Sequence, residues 1–297
     1  MTTTHQVQPT RDRGVAVEPE GEQGPVLFET VIRPTKGWIA IDWRELYQSR
    51  ELFDTLVSRD IKVRYKQTVL GIAWAVIQPI LTMVVFTVLF GRFPGLKPAG
   101  IPYPLFVLAG LVPWTFFTNA VSGAGLSLIS QQQLLTKIYF PRLFVPAASV
   151  GAQMVDLMIG LSLFAVILPF YRFAPAWGLV TLPLIILMTF AAAFGIGLIF
   201  AAMTILYRDL RFVIPFLMQV LMFASTVFYQ PEQIPAPYRL LISLNPMVGL
   251  IAAYRWAILG LPADPVILAI SAASTLLLLF FGLFFFRRTE RHFADIA

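Results

Sequence analysis

Residues 69–91 hold no ionisable side chain over twenty-three positions. Coiled as a helix at ~1.5 Å per residue, such a run is about 34 Å long, enough for a hydrocarbon core of about 30 Å. The stretch before it has a different period. Over 42–66, Trp43, Leu46, Tyr47, Phe53, Leu56, Val57 and Ile61 recur every three or four residues. Arg44, Glu45, Arg50, Glu51 and Arg59 mostly fall between them. That spacing predicts a helix with one apolar stripe and a charged back, suited to the headgroup layer of a membrane. Lys62, Arg64 and Lys66 crowd the entry point, where anionic lipids attract cations.

The same alternation continues along the chain. Apolar runs at 104–128, 144–169, 178–206, 212–230 and 265–286 bring the predicted spans to six. Pro79 and Pro113 fall inside the first two and predict kinks. Ala193, Gly197 and Ala201 give the fourth a small-residue face that admits a close neighbour. Residues 231–264 contain two shorter apolar pieces, 240–244 and 247–261, separated by Asn245 and Pro246. Neither piece is long enough to span, so two half-helices that dip in and return are expected. A seventh span is the competing reading.

Composition agrees: 58% of the 297 residues are hydrophobic, 13% are charged and the mean hydropathy is +0.76. This is an all-α integral membrane protein on composition alone. The net charge of +6 suggests nucleic acid until the charges are placed. With both termini in the cytoplasm, twelve Lys/Arg residues lie near the inner membrane face and five near the outer, the latter being Arg92, Lys97, Arg172, Arg239 and Arg255. The excess is a topology signal, and nucleic acid is not needed. Residues 1–40 and 291–297 read as polar cytoplasmic tails, the first of them disordered and without signal-peptide character. The expected organisation is tail 1–40, amphipathic helix 41–66, six-span domain 67–290 and tail 291–297.

Chemistry narrows the choices. There is no cysteine, and both histidines, His5 and His292, sit in the tails. No thiol or histidine chemistry and no metal site is expected. No Gly-Lys dipeptide occurs, so a P-loop is excluded and ATP would have to be used by a partner. Asp156 is the one acidic residue well inside a span, and the sequence places no cation beside it. A polar group in a solvated path and a group satisfied by a neighbouring hydroxyl or backbone are both open readings. Segment 130–142 is too polar to cross lipid. Its Leu134, Leu135 and Ile138 offer an apolar face beside Gln132, Lys137, Tyr139 and Arg142, which suits a short helix docking in a partner's groove as well as a plain connector. Rings gather at the ends of spans one and five, with Trp74, Phe86 and Phe90 in one and Phe223, Phe228 and Tyr229 in the other. Aromatic faces can stack on sugar C–H faces, although lipid contact is the commoner use of any single ring.

Four stretches together resemble a known family. RYKQTVLGIAWAVIQPI, LLTKIYFPR, YRDLRF and LNPMVGLIAAYR are similar, in order and spacing, to segments of ABC transporter type-2 permeases that export polysaccharides. O-antigen exporters are nearest in likeness, with teichoic acid, capsule and galactan exporters as relatives. The resemblance covers residue 43 to the C-terminus and leaves out the first forty residues. It implies a homodimer of six-span subunits in the cytoplasmic membrane, above a dimer of P-loop ATPase subunits that hold ATP and Mg. A polyprenyl-diphosphate-linked glycan would pass along the subunit interface. The amphipathic helix becomes an interface helix, and Gln132, Leu134, Leu135, Lys137, Tyr139 and Arg142 belong to the segment seated in the ATPase. Trp74, Phe86, Phe90, Phe223 and Tyr229 become channel-lining candidates. Arg59, Lys62, Arg64 and Lys66 become candidates for attracting the lipid diphosphate. Asn245, Pro246, Tyr254 and Arg255 fall in the outer gate region. The chain itself would carry no catalytic residue, metal or cofactor.

Three rivals remain. A type-2 permease for a small drug or lipid would share the fold. A membrane glycosyl- or acyltransferase needs clustered Asp, Glu or His near a membrane face, and the spans offer none. A stand-alone channel would lack an ATPase partner.

Overall fold

The computed structural model describes residues 47, 50–66, 72–91, 100–132 and 140–290, all within the compact unit 41–297. The tails 1–40 and 291–297 lie outside the described residues, as do Trp43, Leu46 and the loop cations Arg92 and Lys97. Among the described residues there are nine α-helices and no strand. We number them α1 (Arg50–Lys66), α2 (Ile72–Phe90), α3 (Tyr103–Ser130), α4 (Phe144–Phe170), α5 (Leu182–Leu206), α6 (Leu210–Ala224), α7 (Ala236–Ser243), α8 (Pro246–Leu259) and α9 (Pro265–Glu290). Five are long and apolar enough to cross a membrane; α7 and α8, bent by 93° at their junction, make a sixth if counted as one broken span.

The hub is α3. In its most apolar eighteen residues 78% are buried, against 11% in α2. α3 packs against α2, α4, α5, α6 and α8, so it meets protein on most of its sides where α2 does not. Pro79 and Pro113 are accommodated inside continuous helices. The small-residue face of α5 meets α3, where a Cβ on Gly197 would lie 2.7 Å from the Ala124 methyl. On its other side α5 crosses α9 with backbones in contact. A Cβ on Gly195 would sit 2.7 Å from the Leu279 Cα, and one on Gly282 would collide with the Gly195 carbonyl. Glycine at both positions is what permits the crossing.

Two expectations change. The fifth apolar run, 212–230, is not helical throughout: α6 ends at Ala224 after 15 residues, about 22 Å at ~1.5 Å per residue, and the chain turns through 225–230. The apolar stripe of the amphipathic helix faces protein as well. Leu56 is buried, and Leu52, Phe53 and Val57 pack on an inner cluster with Phe144, Ala148 and Leu198. Phe53 meets Phe144 at 5.6 Å between ring centroids, Val57 lies against Gly151 and Arg64 reaches Asp156. The contacts advance along both helices in the same direction, so α1 runs beside the first turns of α4.

Candidate functional site

The turn after α6 gathers most of the predicted site. Thr226 there takes φ 55°, a left-handed conformation that costs a β-branched residue on the order of 1–3 kcal/mol. Its hydroxyl is buried without a hydrogen-bond partner. Breaking the helix frees four consecutive carbonyls, and side chains from elsewhere take all of them. Arg255 donates to Thr226 (2.9 Å), Val227 (2.5 Å) and Tyr229 (3.2 Å), and the Tyr103 hydroxyl donates to Phe228 (3.1 Å). Arg255 is 3% exposed, and its guanidinium lies 3.6 Å over the Phe106 ring. A guanidinium has five donors in a planar fork, which lets one side chain serve three carbonyls. Gly110 leaves room for it, since a Cβ there would fall 2.8 Å from the guanidinium. Burying a cation is costly unless it is well hydrogen-bonded. Here the cation satisfies irregular backbone that lipid could not.

Arg255 is therefore not an outer loop charge, and removing it leaves four residues in the outer set against twelve. It belongs to the buried scaffold of the turn. Tyr103 and Thr226 were not among the site residues expected from sequence, because their partners stand 125 and 29 residues away. The available hint was an arginine inside a fourteen-residue apolar helix.

The turn presents Phe228, and three rings assemble around it. Phe86 stacks on Phe228 at 3.6 Å; Phe223 lies 6.2 Å and Phe90 6.4 Å from it. Phe86 also stacks on Phe90 at 5.8 Å. The Tyr229 hydroxyl donates to the Phe223 carbonyl at 2.7 Å. Phe86, Phe90, Phe223 and Tyr229 are thus brought together, with the buried Phe228 as the ring that joins them. Trp74 is not among them. It is 52% exposed and stands twelve residues before Phe86 on α2, about 18 Å along the axis.

Of the residues expected in an outer gate, Asn245 as well as Arg255 borders the same turn. Asn245 caps α8 by accepting from the Met247 amide at 3.1 Å, and its amide donates to the Ser225 hydroxyl at 2.8 Å. The Ser271 hydroxyl of α9 donates to the Ser243 carbonyl and accepts from the Gly249 amide, both at 3.0 Å. Pro246 opens α8, where its missing N–H is no loss. Tyr254 is fully buried, and its hydroxyl accepts from Thr189 at 3.3 Å. The 93° bend is thereby tied to α6 and α9.

At the opposite end of the chain's spans, the basic cluster divides. Arg59 pairs with its neighbour Asp60 at 2.8 Å. Arg64 pairs with Asp156 and also donates to Gln153, while Tyr65 donates to the other Asp156 oxygen. Asp156 therefore has the cation partner that its local sequence did not reveal. Burial, reinforced by that hydrogen bond, pushes the Tyr65 phenol up, so it stays a neutral donor. Among the described residues Lys62 and Lys66 are exposed and in no ion pair. Of the docking segment, Gln132 is exposed at the end of α3. Arg142 donates to the Glu290 carbonyl of α9 at 3.1 Å. Leu134, Leu135, Lys137 and Tyr139 lie outside the described residues.

Comparison with known proteins gives the setting. The chain is 32% identical to the O-antigen export system permease protein RfbA of Myxococcus xanthus over 240 residues, covering 79% of this chain and 91% of that protein. It is 27% identical to the protein of the same name from Klebsiella pneumoniae, over 84% of this chain and 97% of the relative. It is 26% identical to the polysialic acid transport protein KpsM of Escherichia coli, over 80% and 93%. The family model described as ABC-2 type transporter matches residues 51–259, and this chain belongs to that family.

Proposed function

We propose that this chain is the membrane-spanning permease subunit of an ATP-driven exporter that moves a lipid-linked, O-antigen-like polysaccharide across the cytoplasmic membrane. The observation that carries the reading is the aromatic cluster of Phe86, Phe90, Phe223 and Phe228 held on a stapled turn. It is supported by relatives named for O-antigen export and polysialic acid transport that align along four-fifths of the chain. Rings on a fixed backbone give a sugar chain flat surfaces to pass without requiring one hydrogen-bond pattern. Two copies of the chain would face each other across the path. The apolar faces of α2 and α6, with Val84, Val88, Phe216 and Val220 exposed, are the surfaces available for that pairing.

Energy would come from a P-loop ATPase dimer holding ATP and Mg, since the sequence has no phosphate-binding loop of its own. Segment 130–142 would seat in that partner, and Asn245 to Arg255 would frame the outer gate. Both termini would be cytoplasmic, as the Lys/Arg bias favours. Lys62 and Lys66, in no ion pair among the described residues, are the members of the basic cluster best placed to attract a lipid diphosphate. Nucleotide in the partner would select between two packings of the bundle.

The test is purification of the chain from its native membrane, followed by a glycan export assay. Recovery of a stoichiometric P-loop ATPase, and a fall in export in the Phe90→Ala and Phe223→Ala variants at unchanged ATP turnover, is expected. A chain that comes down without a nucleotide-binding protein sinks the ATP-driven reading. Export of a small lipophilic compound in place of glycan favours the small-cargo permease.

A further inference from the structure

The transport reading leaves Asp156 without a part. It sits on α4, twelve residues beyond Phe144, and both of its carboxylate oxygens are taken by consecutive residues of α1, one by Arg64 and the other by Tyr65. Arg64 also donates to Gln153, one turn earlier on α4. Val57 is the last α1 side chain packed on the inner apolar cluster, and the polar contacts lie about two turns beyond it. The end of α1 is therefore held to α4 by these groups.

We propose that Asp156 is a positioning residue for transport: through Arg64 and Tyr65 it fixes the C-terminal end of α1 to α4, so that a displacement imposed on α1 from the cytoplasmic side moves α4 with it. The inference rests on the ATP-driven reading above. A partly exposed ion pair adds little to global stability. Its removal should therefore leave a folded protein whose defect lies in the transmission between two helices. The seam also has a polarity that suits the role. Its first contacts are apolar and its last are directional hydrogen bonds, so the end nearest the membrane interior is the one with a fixed orientation.

The chain has no cysteine, and a Cβ on Gly151 would lie 3.5 Å from a Val57 methyl carbon. A Val57→Cys, Gly151→Cys pair can therefore close the α1–α4 seam covalently. In membranes, disulfide formation by this pair is expected to slow several-fold when Asp156→Asn or Arg64→Gln is added, and to be kept by Asp156→Glu. With the ATPase partner present, Asp156→Asn should lower glycan exported per ATP hydrolysed by about tenfold, a coupling change of ordinary size. Oxidising the cysteine pair in that background should restore the ratio. A residue needed only for folding would not be rescued by a bond formed after folding. Unchanged disulfide formation in Asp156→Asn overturns the inference whatever the chain transports. So does a lost export ratio that oxidation does not restore. If the seam loosens as expected while the unaltered chain shows no ATP-dependent export, the transport reading fails and the anchoring of α1 stands.

Discussion

At the scale of the residue, Arg255 and Thr226 form a matched pair of exceptions. One is a cation in an apolar interior; the other is a β-branched residue with positive φ and an orphaned hydroxyl. Each explains the other. The strained turn exposes carbonyls, the cation collects them, and the collected carbonyls hold the turn in its strained form. Arg255→Ala leaves the carbonyls of Thr226, Val227 and Tyr229 short of a donor, at about 1–3 kcal/mol apiece. A large fall in the detergent-solubilised melting temperature is expected, with Arg255→Lys intermediate because an ammonium keeps the charge but not the planar fork. Equal stability of the Lys variant and the native chain would show that charge alone suffices. Thr226→Gly removes both the strain and the unpaired hydroxyl, and a rise of about 2 °C in the same melting measurement is expected. A fall would mean that the Thr226 methyl packs more tightly than its strain costs.

At the scale of the element, the legible and illegible parts separate by range. Long uncharged runs can only be buried or lipid-facing helices, so α2, α3, α4, α5 and α9 follow closely from hydropathy. The bend between α7 and α8 was legible too, because Asn245 supplies a cap and Pro246 lacks the N–H that would continue α7. Asn245→Ala is expected to cost about 1 kcal/mol through the lost cap and to loosen the tie to Ser225. Faster hydrogen exchange confined to the first turn of α8 would report it. The end of α6 was not legible. Val227 and Phe228 continue the apolar composition, and what stops the helix is a turn held by Tyr103 and Arg255 from distant parts of the chain. Asp156 is the same case in reverse. Its neighbours in sequence are apolar, and its partners lie 91 and 92 residues away. The aromatic candidates divide likewise. Phe86 and Phe90, one turn apart, share a face of α2, and the twelve-residue spacing already sets Trp74 three turns away; what needed the fold was Phe228, which joins them to Phe223.

At the scale of the whole molecule, α3 is the most buried span, α5 and α8 pack on it, and less buried helices lie beside them. α2 and α6 expose long apolar faces, and α1 rides on α4. Such a division suits the proposed assembly, in which α2 and α6 would meet a second copy without disturbing the helices that hold the fold. Charge reversal by Lys137→Glu with Arg142→Glu is expected to abolish co-purification of the ATPase while leaving membrane insertion unchanged. Retained co-purification would remove segment 130–142 from the docking role.

The crossing of α5 and α9 carries a consequence for how this chain can vary. Gly195 and Gly282 face one another backbone to backbone, so neither position can be enlarged to compensate for a change at the other. Ordinary core pairs drift together, one side chain shrinking as its partner grows; this pair has no such freedom. Saturation mutagenesis should find both positions intolerant even of alanine, singly and in combination. Exposed neighbours such as Leu276 and Phe280 on the outer side of α9 should accept most apolar replacements. Two glycines eighty-seven positions apart would then behave, genetically, as a single indivisible letter.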